Sequence, residues 1–282
     1  MYGLFAGNPV DELRSADVTI GIFDSGVGGL TVFREIARSL PDRALIYLGD
    51  SARVPYGTKS ADIVTRYAHE AAHHLLQRGV EMLVVACNTA TAAALPSLKE
   101  RLSIPVIGVV EPGARAAVKR TRGRVGVIAT EGTVRSGAYT RAIRALDPKV
   151  EVIESAAPLF VALAEEGWAN THVAREVAEI YLGPLLDAGI DTLVLGCTHY
   201  PILRGTIEQV CAGRVAIVDS AETTAQSVVE ALGATAGKVV ERSNGSRHTF
   251  LVTDAEERFR RIASDFLETE IERLELVSLQ EH

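Results

Sequence analysis

The sequence predicts an α/β protein made of two similar open-sheet, mostly parallel α/β domains, with an active site in the cleft between them. Three observations carry this prediction. Short β-branched runs alternate with amphipathic segments of helical length, a pattern that suits strands buried on both faces of a parallel sheet with helices as crossovers. A stretch of the first half recurs in the second, which points to duplicated architecture. The chain of 282 residues is long enough for two small cores.

Taken in order, the strand runs are residues 19–23, 44–49, 82–86, 106–110, 125–129, 150–153, 192–196, 215–218 and 250–252. Gly79 and Gly189 end the helices before two of them, while Pro96, Pro105 and Pro201 are expected where helices start or strands enter. The repeat relates EMLVVACNTATAAALP, from Glu81, to DTLVLGCTHYPILRG, from Asp191. Each copy reads acid, apolar strand, Cys, Thr-containing turn, Pro and helix, and Cys87 and Cys197 lie 110 residues apart. A weaker match relates IGIFDSGVGG, from Ile20, to VGVIATEGTV, from Val125. The expected organisation is an irregular extension at 1–17, a first domain from 18–111 plus 221–282, and a second from 112–220.

Composition removes several functional classes. No apolar run approaches the roughly 20 residues that span a bilayer, and residues 1–17 carry early acids rather than a basic-then-apolar signal, so a cytoplasmic location is expected. A formal charge of −7 without a basic stripe argues against nucleic acid as a partner. The 3 cysteines are too few and too odd in number for a disulfide framework.

Attention therefore falls on what the thiols do. Cys87, in VVACNTATA, and Cys197, in VLGCTHYP, each end a strand, where ligands bind in open α/β sheets. Turn N–H groups and a helix dipole there are expected to lower the thiol pKa and favour thiolate. A lone Cys after an apolar strand is often a small buried hydrophobe, but polar neighbours follow both: Asn88-Thr89 and Thr198-His199. Cys211 lacks such company and reads as filler. Asp24-Ser25 closes the first strand; Asp24 suits a helix N-cap, a proton relay or an amine-binding carboxylate. The glycines after it fail the dinucleotide spacing, because Thr31 stands where the third belongs. His69-Glu70-Ala71-Ala72-His73 formally matches a zinc-hydrolase pattern, but it lies mid-way along a crossover helix, away from the strand ends, so no metal site is assigned. Tyr56-Gly57 forms a turn with available N–H groups, Thr130 and Thr133 suit helix caps, and Glu165-Glu166 reads as a solvated helix end.

FDSGVGGLTV from Phe23, DSARVPYG from Asp50, ACNTATA from Ala86 and GCTHYP from Gly196, in this order, resemble the glutamate racemases of the aspartate/glutamate racemase superfamily over residues 18–267. The resemblance implies cofactor-independent interconversion of L- and D-glutamate for bacterial peptidoglycan. It implies that Cys87 takes the α-proton from D-glutamate and Cys197 from L-glutamate, with Asp24, His199 and Glu165 assisting. Glu166 competes for the position of Glu165. Asp24, Ser25, Tyr56, Gly57, Asn88, Thr89, Thr130, Thr198 and His199 would bind substrate. Ala157 stands where many relatives carry a further Cys, and no role is assigned to it. The resemblance leaves open a homodimer and, through the N-terminal extension, an interaction with DNA gyrase.

Such a reaction suits two cysteines. The α-proton of an amino acid is weakly acidic, and no pyridoxal-type lysine signature is present to spread the charge. One thiolate would remove the proton while the opposite thiol donates, leaving the pair in swapped states. The rival readings are racemisation of aspartate or a hydantoin, a zinc hydrolase built on His69, Glu70 and His73, and a two-lobed amino-acid receptor; the Tyr56-Gly57 turn, placed for a distal carboxylate, favours glutamate.

Overall fold

Residues 18–233 and 247–279 are described by the computed structural model; the extension at 1–17 lies outside them. In chain order the first half forms β1 (Ile20–Asp24), α1 (Leu30–Ser39), β2 (Leu45–Gly49), α2 (Ala61–Gln77), β3 (Met82–Val85), α3 (Asn88–Arg101), β4 (Val106–Gly108) and α4 (Val110–Arg120). The second half forms β5 (Arg124–Ala129), α5 (Glu131–Ser136), α6 (Ala138–Leu146), β6 (Glu151–Ala156), α7 (Leu159–Glu165), α8 (His172–Asp187), β7 (Thr192–Gly196), α9 (Arg204–Cys211), β8 (Ala216–Asp219) and α10 (Ser220–Ala231). Then follow β9 (His248–Val252), α11 (Glu256–Leu267) and β10 (Leu274–Leu276).

The strands form two open parallel sheets, ordered β10-β9-β2-β1-β3-β4 and β6-β5-β7-β8. The order β2-β1-β3-β4 is the order β6-β5-β7-β8, so the sequence repeat is also a topological repeat. Its joints correspond closely. α2 is capped at its start by Ser60, buries Val64, Ala68, Ala71 and Leu75 along one face, and is followed by Gly79 at φ +79°. α8 is capped by Thr171, buries Ala174, Ala178, Leu182 and Leu185, and is followed by Gly189 at φ +73°. The acids that open the repeats also match: Glu81 accepts from Thr19 N–H, and Asp191 accepts from the N–H groups of Arg122 and Arg124.

Helices exchange between the sheets. α4 leaves β4 and packs against α6, β7 and β8, whereas α10 leaves β8 and packs against α1. The chain thus crosses from one sheet to the other through α4 and returns through α10. β9, α11 and β10 extend the first sheet beyond β2.

All nine strand runs are strands. β10 escaped the sequence reading because Leu274-Glu275-Leu276 is a short edge strand with a charge at its centre, paired to Arg78 at 2.8 Å. Val110 begins α4 rather than ending a strand. Pro96 sits inside α3, not at a helix start. It forgoes a ladder hydrogen bond there, and the buried face of Ala90, Ala94 and Leu98 holds the helix. Among the described residues no helix is long and apolar enough to cross a membrane.

Candidate active site

The carboxyl ends of β1, β3, β5 and β7 deliver Asp24, Cys87, Thr130 and Cys197 to one place between the sheets. This is where open parallel sheets bind ligands. Cys87 and Cys197 are each only 6% exposed and near enough for their charges to interact.

Among the described residues, the hydrogen-bond partners of Cys87 come from the first half. Cys87 occupies the N-cap of α3, its sulfur accepting from Ala90 N–H at 3.4 Å and donating its S–H to Ser25 Oγ at 3.6 Å. Burial, and then the nearby Asp24 carboxylate, push this thiol up to about 12, outweighing the Ala90 N–H and the Ser25 hydroxyl. The expected thiolate is therefore reversed here: Cys87 rests as a neutral thiol at pH 7, because desolvation exceeds the help of one helix N-terminus. Burial likewise raises the Asp24 carboxyl, against His199 and the backbone N–H groups of Gly26, Gly29 and Ser25. Asp24 is not a helix N-cap; Gly29 holds that position for α1, and Asp24 Oδ2 instead accepts from Gly26 N–H at 2.9 Å.

Around Cys197 the arrangement is a chain. His199 Nδ1 lies 3.8 Å from Cys197 Sγ, His199 Nε2 lies 3.0 Å from Glu165 Oε1, and Glu165 Oε2 accepts from Arg258 Nη2 at 2.9 Å. Burial lowers the His199 pKa, but the hydrogen bonds to Cys197 and Glu165 and their charges outweigh it and push the imidazole up to about 10. Burial would raise the Glu165 carboxyl, yet His199 and Arg258 hold it below its usual value. An imidazolium beside Cys197 is the partner a thiolate requires. Glu165, not Glu166, reaches His199; Glu166 is exposed at the end of α7 and lies 3.6 Å from Arg258.

The remaining residues come from both sheets. Thr89 Oγ1 lies 2.9 Å from Thr130 Oγ1 and 3.2 Å from Thr133 Oγ1, so the two predicted caps of α5 also face the site. Asn88 Oδ1 accepts from Tyr139 OH at 2.7 Å, and Thr198 O accepts from Thr31 Oγ1 at 2.9 Å. Both are contacts between the two halves, and nothing local in the sequence marks Tyr139 or Thr31 for them. Asp24 Oδ1 and Asn88 Nδ2 are buried with no hydrogen-bond partner among the described residues. Close approach of the halves depends on Gly28, where a Cβ would lie 2.4 Å from His199 Nδ1 and Thr198 Oγ1.

Tyr56 departs from the expectation of a site-lining side chain. Its ring is buried in the first core and its hydroxyl donates to Asp50, whose carboxylate also accepts from Arg53 and Thr253. What reaches the site is the turn itself, with the Gly57 backbone against Thr130 and Gly132. Ala157 is buried, and its carbonyl accepts from Tyr200 OH at 2.8 Å. Cys211 is buried on α9, and burial raises its thiol to about 11.

The zinc-like pattern on α2 has other tasks. His69 Nε2 lies 2.8 Å from Ser97 Oγ, His73 Nε2 lies 2.9 Å from Gln77 Nε2, and Glu70 is ion-paired to Arg53. Among the described residues no three His, Cys, Asp or Glu side chains group to hold a metal ion.

Residues 20–228 match the family model described as Asp/Glu/Hydantoin racemase. The chain is 53% identical over 263 residues to a protein named glutamate racemase from Geobacter metallireducens, covering 93% of this chain and 97% of that one. It is similar to the crystal structure of the glutamate racemase isoform RacE1 from Bacillus anthracis, with TM-score 0.86, 40% identity, and coverage of 94% and 99%. The glutamate racemase from Francisella tularensis in complex with D-glutamate matches with TM-score 0.86, 36% identity, and coverage of 95% and 100%.

Proposed function

Because the chain belongs to the Asp/Glu/hydantoin racemase family, we propose that it interconverts L- and D-glutamate by passing the α-proton between Cys197 and Cys87, supplying D-glutamate for peptidoglycan. The observation that carries this reading is the convergence of two thiols from corresponding strand ends of a repeat, one backed by Asp24 and Ser25, the other by His199 and Glu165.

In the L-to-D direction, Cys197 as thiolate removes the α-proton while His199 stands beside it as imidazolium. The neutral Cys87 thiol then delivers its own proton to the opposite face. The product is D-glutamate, with Cys197 protonated and Cys87 ionised; the return reaction starts from that state. The carbanion-like intermediate is held by preorganised donors rather than by delocalisation into a cofactor. Asp24 Oδ1 suits the substrate ammonium, whose charge offsets the burial of the carboxylate. Asn88 Nδ2 and the hydroxyls of Thr89, Thr130 and Thr198 suit the α-carboxylate, and the Gly57 turn suits the distal carboxylate of glutamate. Because the catalytic side chains are buried, substrate reaches them only when the two halves part, and closure then excludes water.

The deciding experiment follows α-deuterium incorporation and optical rotation of each glutamate enantiomer in deuterated water. Cys87→Ala and Cys197→Ala are each expected to lose at least about 100-fold in racemisation. Wild-type rates in both variants would refute the two-thiol reading, and aspartate or a hydantoin turning over faster than glutamate would refute the substrate assignment.

A further inference from the structure

The chain of contacts at Cys197 does not end within the second sheet's own elements. α11, which returns with β9 and β10 to the first sheet, reaches across to it at two points. Phe266 meets the His199 ring edge-on, with centroids 5.6 Å apart and an interplanar angle of 82°. Arg258, on the same helix, donates to Glu165 Oε2 at 2.9 Å while Glu165 Oε1 engages His199. Both residues lie beyond the segment 20–228 that the family model matches.

We propose that Arg258 is a positioning residue for the Cys197 end of the reaction: it fixes the Glu165 carboxylate so that the His199 ring stays aligned with the Cys197 sulfur. A carboxylate with a partner on each oxygen has one orientation; with a single partner it can rotate about its own axis and release the imidazole. Arg258 is half-exposed, and an exposed ion pair contributes little to stability. Its effect is therefore on geometry at Glu165. Delivery by α11 also makes that alignment depend on docking of the C-terminal segment against the second half. Among the described residues Cys87 has no counterpart to this arrangement, since its partners Ser25 and Asp24 belong to the adjacent strand end.

This inference rests on the two-thiol reading, and a racemase allows a test that separates the ends. With an equilibrium constant of one, kcat/KM for the two directions must change together, so a defect at one end cannot be seen in that ratio. It is seen in isotope effects. Slowing transfer at Cys197 makes breaking of the α-C–D bond in labelled L-glutamate more rate-limiting. The same defect makes breaking of that bond in labelled D-glutamate, performed by Cys87, less so.

Arg258→Met is expected to lower kcat about fivefold, raise the isotope effect on L-glutamate and lower that on D-glutamate, with its melting temperature unchanged. Arg258→Lys, which keeps a donor but not the planar fork, is expected to restore most of the rate and the wild-type isotope pattern. Unchanged isotope effects, or effects that move in the same direction for both enantiomers, would overturn the positioning role. Cys87→Ala and Cys197→Ala are measured alongside. Full activity in those variants would overturn the two-thiol reading itself, whereas inactive cysteine variants beside an Arg258→Met enzyme with wild-type isotope effects would overturn only the role of Arg258.

Discussion

The two halves share strand order, helix caps and acid-led repeats, yet they equip their cysteines differently. Where the first half has Asp24-Ser25 after its leading strand, the second has Ala129-Thr130; where the first has Thr89 two residues after its cysteine, the second has His199. Cys87 consequently faces a buried carboxylate and rests as a thiol pushed up to about 12, while Cys197 faces an imidazolium held up to about 10. The two halves share one scaffold, and differences at a few positions give the two thiols different neighbours. The symmetric part is the scaffold; the asymmetric part, under the proposed two-thiol reaction, gives each thiol its own auxiliary groups.

Removing one auxiliary group from each end should separate the two cysteines most strongly. His199→Asn and Asp24→Asn are each expected to reduce kcat by roughly 100-fold, with isotope effects shifting toward labelled L-glutamate in the first and labelled D-glutamate in the second. Their stabilities should move in opposite senses. The Asp24 carboxyl is raised by burial, so at neutral pH its charge is a burden that the neutral amide lifts; Asp24→Asn should melt higher than wild type. His199→Asn leaves the partly buried Glu165 with one partner fewer and should melt lower. Equal isotope shifts for both variants would mean that the ends are not separable.

Closure between the halves comes next in size. Gly28→Ala places a methyl group 2.4 Å from His199 and Thr198, both held by their own contacts, so the halves must stay apart or shift. A loss of about 1–3 kcal/mol is expected in thermal or denaturant unfolding, with a larger loss in kcat than in KM. Gly183, within α8, is the control, because a Cβ added there would meet nothing within 4 Å. Gly183→Ala should leave activity intact and raise stability by up to about 1 kcal/mol.

Alkaline pH probes the same asymmetry more gently. The folded-state pKa of His199 is raised to about 10 from 6.5, so its stabilisation is full below pH 6.5 and fades as pH rises through 10. Cys87, raised to about 12 from 9.0, adds a further loss between pH 9 and 12, because only the unfolded chain ionises there readily. The melting-temperature gap between wild type and His199→Asn should therefore narrow from pH 6.5 to pH 10, and Cys87→Ala should flatten the curve above pH 9.

How far the sequence disclosed this site follows from where each signal lies. Cys87, Asn88 and Thr89, and Cys197, Thr198 and His199, sit in contiguous turns after apolar runs, and the repeat marks the two turns as equivalent; strand ends and site residues were legible for that reason. Arg258, Phe266, Thr31 and Tyr139 were not, because each lies on an amphipathic helix where nothing local distinguishes a residue facing the other half from one facing solvent. The protonation of Cys87 is not legible in the sequence for a related reason. A helix N-terminus is visible in a sequence, whereas the burial that outweighs it depends on the second half closing over the first.

The smallest expected effect tests that last point through one hydrogen bond. Tyr139 OH, from the second half, donates to Asn88 Oδ1, from the first, at 2.7 Å. This bond fixes which way the Asn88 amide points and leaves Nδ2, buried and without a partner, free to donate to a carboxylate. Tyr139→Phe keeps the ring in its fully buried slot and removes only the donor. Losing it should destabilise the fold by about 1 kcal/mol and let the amide turn, so that Asn88 presents its oxygen to the substrate carboxylate part of the time. KM for both enantiomers should rise together, with isotope effects unchanged, since orientation of a shared binding group favours neither thiol. A one-sided isotope shift in Tyr139→Phe would instead place Asn88 with the Cys87 machinery and extend the asymmetry of the ends to substrate binding.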